Sequence, residues 1–256
     1  DTSIAIKGAF EAIGSLPGPI IAVGDADMEE IKDLIHGVFG DMKPIPDVAA
    51  RIPTPVPAHE NLLVSVVDDE EATQSTFSLY FKSDPVPIRM ESDYRGQLVQ
   101  QLLVYMLNQR FDELRRKPDP PFLRAFAFKG RFVHSTEVFG LGAHVEDNGL
   151  ERGLETVLTE VERVRRHGFV QSEFERAKKD KLRSVEVAYN EQDTTESRVH
   201  TQDLLNHILH QDVHPGVEED LGLHRALLPG IALEELNEQV QTWITSSNRV
   251  LLVSGP

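Results

Sequence analysis

The chain has 256 residues, of which 40% are hydrophobic and 27% charged, a composition that fits a globular core and excludes disordered, collagen-like and membrane classes. At roughly 150 residues per domain, that length falls between one large domain and two small ones. Lys and Arg number 26 against 42 Asp and Glu, and the resulting formal charge of −16 repels phosphate backbones and anionic lipid, so nucleic acid is not an expected partner.

The absence of Cys removes disulfides, thiolate nucleophiles and Cys-type zinc sites. No apolar run approaches the length of about 18 residues that crosses a bilayer, and residues 1–13 lack the basic and apolar regions of a signal peptide, so no membrane insertion is expected. A start at Asp1 instead of Met suggests a processed or cut product.

Pro19 to Gly24 reads as a short buried strand, and Asp27 as the cap of a helix to about Phe39 with Ile31, Leu34, Ile35 and Val38 at core spacing. Pro44, Pro46, Pro53, Pro55 and Pro57 forbid a helix or central strand and mark an extended tether at a domain boundary. Leu62–Val67 and Ser75–Lys82 read as strands, the second alternating Phe77, Leu79 and Phe81 with Thr76, Ser78, Tyr80 and Lys82.

Asp93 to Lys117 carries a broad apolar stripe at helical period and is stopped by Pro118, Pro120 and Pro121. Two strands follow, in which Phe122, Phe126, Phe128 and Phe132 share one parity and Phe139, Leu141, Ala143 and Val145 another. Both sets are expected to supply the core. Leu150 to Val164 reads as a helix ending at Gly168, Ser172-x-x-Glu175 as the capping box of the next, and helices continue to Ile244 before a strand at Arg249–Val253. Runs of strands and helices point to an α+β fold, with helices on one face of a mixed, mainly antiparallel sheet.

Metal chemistry leaves few candidates. No His satisfies His-x-x-Glu-His or His-Glu-x-x-His, and in His134-x-x-Glu137 the second His is missing. His207, His210 and His214 sit at helical spacing and form the one metal-like cluster, but Asp212 to Pro215 reads as a helix end that carries His214 out of register. Gly140-x-Gly142 and Gly24-Asp25 are too sparse for a phosphate loop. Arg110, Arg115, Arg116 and Lys117 gather at the end of the long helix, where the helix dipole accounts for them; they are also placed to grip the carbonyls or carboxylate of a peptide. A second basic group, Arg176, Lys178, Lys179, Lys181 and Arg183, lies further on.

The order of several segments resembles the insulinase/pitrilysin family of zinc metallopeptidases, whose zinc motif is His-x-x-Glu-His. They are Ile20–Ile31 with Val38–Asp41, Leu107–Phe122, His167–Lys178 and Tyr189–Glu196. The resemblance implies that residues 1–43 hold the tail of a catalytic-type repeat, 44–60 the Pro-rich linker, and 61–256 a non-catalytic repeat; residues 1–15 match nothing in it. It further implies four related repeats in two halves around a chamber that binds unfolded peptide. Zinc is then expected in the full-length parent and in no site of this chain, and the parent in the bacterial periplasm. The positions matching an Arg and a Tyr that hold substrate in some members are Arg115 and Phe122, so the phenolic hydroxyl is missing here. A scaffold subunit without proteolytic role, or a metal-binding domain using His207, His210 and His214, are the alternatives.

Overall fold

The period of two in Phe77, Leu79 and Phe81 builds strand β2 (Ser75–Ser83), buried on one face and half-exposed on the other. Around it a five-stranded sheet forms in the order β1 (Leu63–Asp68), β5 (Arg249–Gly255), β2, β4 (Thr136–Val145), β3 (Arg124–Val133). Only β1 and β5 run parallel; every other pairing is antiparallel, which gives the mixed, mainly antiparallel sheet expected from the sequence. This computed structural model describes residues 20–41, 54–146, 148–210, 212–213 and 215–256.

Seven α-helices lie among the described residues: α1 (Met28–Phe39), α2 (Glu91–Arg115), α3 (Leu150–His167), α4 (Gln171–Asn190), α5 (Ser197–His210), α6 (Val217–Leu227) and α7 (Leu233–Trp243). The chain divides into two compact units, Asp1–Ile52 with Asp193–His214 and Pro53–Gln192 with Pro215–Pro256. The sheet and five of these helices belong to the second unit. Its core sits between the inner sheet face and α2, α3 and α7, with Leu98, Leu102, Leu103, Met106, Leu107 and Phe111 as the spine of α2. The Trp243 ring lies 4.9 Å from Phe139. Helices α4 and α6 pack together, with α4 against α2.

In the first unit, Asp27 caps α1 by accepting the N–H groups of Glu29 and Glu30. No residue of α1 is buried, although Ile31, Leu34, Ile35 and Val38 were expected at core positions. Ile20–Val23 forms no strand, because none of the described strands offers it a ladder partner. Residues 42–53, which hold three of the five prolines, lie outside the described residues.

Two local expectations are corrected. Phe126 and Phe128 do share a face of β3, but it is the outer face, away from the helices. Their rings occupy the space that side chains at Gly142 and Gly140 would fill. Tyr80 joins them there, with Phe128 at 6.2 Å and Phe132 at 5.7 Å, and Phe132 is 58% exposed. The helix-facing side of β3 carries Ala125 and Ala127 instead, which lets α2 approach. The capping box also falls two residues earlier than expected: Glu173 accepts the Val170 N–H at 2.9 Å, and α4 begins at Gln171.

Candidate functional site

The end of α2 is where sequence reading concentrates its basic residues, and the structure divides them. Arg110 is consumed inside the fold. Its Nη1 donates to Glu160 of α3 at 2.8 Å, while Nε and Nη2 form a two-pronged pair with Glu173 of α4, each at 3.0 Å. The guanidinium also lies 5.0 Å from the Phe169 ring. Burial alone would push the Arg110 pKa down, but hydrogen bonds to both carboxylates hold it above its ordinary value. Burial likewise opposes the ionised form of Glu173, yet Arg110 and the Val170 N–H keep its carboxyl below the usual range. This triad locks three helices together and leaves no guanidinium for a peptide.

Arg115 is half-exposed, and its Nε donates to Asp112 at 3.1 Å; Arg116 reaches the same carboxylate at 3.8 Å. Exposed pairs of this kind hold loosely, so Arg115 can exchange Asp112 for a ligand oxygen. Phe122 is different. It is 2% exposed and packs edge-to-face on Phe111 with ring centroids 6.4 Å apart. The Pro-rich loop between them is pinned by Arg152, which donates to both carboxylate oxygens and the carbonyl of Asp119. Arg115 therefore borders the loop, whereas Phe122 turns into the core and presents no ring to a peptide.

Among the described residues no group of three or more His, Asp or Glu side chains is placed to hold a metal ion. His207 and His210 both lie on α5, and His207 Nδ1 is 2.7 Å from the carbonyl oxygen of Asp212; His214 lies outside the described residues. The second basic group is also partly absorbed. Lys178 sits 4.8 Å over the Phe174 ring, and burial lowers the pKa of Lys181 although the Asp220 charge opposes it.

One polar cluster escapes sequence reading. Tyr94 of α2 donates its hydroxyl to Asp220 of α6 and lies 3.2 Å from His224 Nδ1, which is 2.8 Å from the Asp220 carbonyl oxygen. His224 is 2% exposed, and burial lowers its pKa, aided by the Lys181 charge and opposed by Asp220. The neutral ring is thus favoured in the folded chain, while an unfolded His titrates near about 6.5. The unfolded state binds the extra proton, so this contribution to stability is complete above about 6.5 and lost as pH falls toward the folded value. We expect His224→Gln to flatten the fall in melting temperature across that acidic window; an unchanged slope would place the titration elsewhere.

Comparison with known proteins defines the class. The chain belongs to the M16 peptidases: residues 20–181 match the family model described as the Peptidase M16 inactive domain. It is 28% identical over 239 residues to a "Zinc protease PQQL-like" protein of Arabidopsis thaliana, covering 93% of this chain and 22% of that one. The crystal structure of the periplasmic protease PqqL from Escherichia coli shares the fold, with a TM-score of 0.79 at 20% identity over 90% of this chain and 26% of that chain. A structure of the first half of PqqL gives the same TM-score and 20% identity over 91% of this chain and 50% of that half. The chain spans about a quarter of these full-length relatives and carries an M16 inactive domain.

Proposed function

We propose that this chain forms one wall of a peptide-binding chamber in a larger zinc metalloendopeptidase, and that the zinc and the hydrolysis reside in another repeat of the same protein. The observation that carries this reading is the match of residues 20–181 to an inactive peptidase domain. A tetrahedral catalytic zinc takes three protein ligands and leaves one position for water, and the described residues do not fit that requirement. In this reading residues 1–43 close the preceding repeat, 44–60 are the linker and 61–256 are the chamber wall. Arg115 at the loop margin offers an unfolded peptide a guanidinium for its carbonyls or carboxylate. The related PqqL is described as periplasmic, and we place the parent of this chain there as well. No helix among the described residues is long and apolar enough to cross a membrane.

The core position of Phe122 favours a second reading, in which the domain only holds the other repeats together, because one half of the substrate grip implied by the resemblance is buried. The parent polypeptide separates the two. We expect it to carry His-x-x-Glu-His outside this segment and to cleave unfolded peptide in a chelator-sensitive manner. A parent with neither the motif nor the cleavage leaves the scaffold reading.

A further inference from the structure

The two edges of the sheet are built differently. On β3 the ladder shifts register between Arg131 and Val133, Arg124, Lys129 and Arg131 add charge, and Asn108 of α2 bonds both the N–H and the C=O of Ala127 at 2.8 and 2.9 Å. These are the devices by which natural sheets protect an edge. Strand β1 has none of them within Leu63–Val67. It holds no Pro, Lys or Arg, pairs with β5 over six residues without a shift, and is exposed along its whole length. Val64 and Val66 are uncovered on the inner face and Leu63 and Val67 on the outer, with Val66 at 71% exposure.

The direction of its free hydrogen-bonding groups follows from the ladder. Asp69 N–H donates to the Gly255 carbonyl of β5 at 2.9 Å, so alternation turns the backbone groups of Leu63, Ser65 and Val67 toward β5. Those of Val64, Val66 and Asp68 point outward. Three N–H and three C=O groups then line an edge that no described residue occupies.

We propose that β1 takes up an extended segment of a separate polypeptide as a sixth, antiparallel strand, and that this segment is apolar at alternate positions with Lys or Arg near its N-terminal end. Charge selects this occupant. Asp68, Asp69, Glu70 and Glu71 follow β1 directly, Glu60 precedes it, and none of the five forms an ion pair among the described residues. Antiparallel addition lays the N-terminal end of the incoming strand beside residues 68–71. A second copy of this chain is disfavoured, because self-pairing about Ser65 and Val66 brings Glu60 of each copy to Glu71 of the other within a molecule of charge −16. The inference does not depend on where the zinc lies.

The test uses this chain with a labelled Lys-Lys-Val-Thr-Val-Thr-Val-Thr peptide, its Glu-Glu counterpart, and a version of the first methylated on alternate amide nitrogens. Fluorescence anisotropy reads binding and hydrogen exchange reads its place. We expect the Lys-Lys peptide to bind at least about tenfold more tightly than either control and than it binds Val66→Pro, which removes an outward N–H while leaving the β5 ladder intact. Protection should rise at Val64, Val66 and Asp68. Equal binding of all three peptides, protection at β3 instead, or β1 protection that grows with protein concentration without peptide overturns the proposal. The methylated peptide decides the matter even if Val66→Pro unfolds.

Discussion

Arg110→Ala is expected to lower the unfolding free energy by about 3–5 kcal/mol, because it leaves two carboxylates uncompensated in the interior. Glu160 is 8% exposed and Glu173 20% exposed at the side chain. Once Arg110 is gone, Glu160 keeps the more distant Arg163 at 3.6 Å, and Glu173 keeps the Val170 N–H and the charge of Arg176. Without Arg110 the Glu173 carboxyl loses the partner that holds it below the usual range, so the deficit should shrink at acidic pH. The triple variant Arg110→Met, Glu160→Gln, Glu173→Gln should recover much of the loss, since removing a buried ion network whole costs less than breaking it. Urea unfolding checks this through the midpoint at constant slope. A single-variant loss below about 1 kcal/mol would mean the triad behaves as a solvated surface pair.

Phe122→Ala is expected to cost a similar amount, about 3–5 kcal/mol, as a large-to-small change in a filled core. The ring touches Phe111, itself 1% exposed, so truncation opens a cavity at the base of α2. Phe122→Leu should lose clearly less. The comparison bears on function as well as stability. If Phe122 instead faced a peptide, alanine would leave the unfolding curve in place and change only peptide affinity. Arg115→Ala provides the contrast, because its exposed pair with Asp112 predicts a change within about 0.5 kcal/mol.

Much of this architecture was legible because local periodicity and tertiary burial agree. The stripe from Leu98 to Phe111 is both a helical pattern and the spine of the core, and the alternation in β2 matches its buried face residue by residue. Parity in β3 was also legible, but parity does not say which face is inside. The signal that could have decided it lies on the neighbouring strand: Gly140 and Gly142 leave room on one face only, and Phe128 and Phe126 fill it. The role of Arg110 was hidden for another reason. Its partners are 50 and 63 residues away, and Tyr94 and Asp220 are 126 apart, so only the packing of helices brings them together. The candidate peptide contact suffered likewise, since a resemblance assigns Phe122 a position in a motif without revealing which way its ring turns.

Metal content and peptidase activity measured on the same sample test the proposed function most directly. The purified chain, saturated with zinc and then dialysed, should retain no stoichiometric metal and cleave no unfolded peptide. Retention of one equivalent of zinc together with chelator-sensitive cleavage would contradict the account and place a working site within these 256 residues.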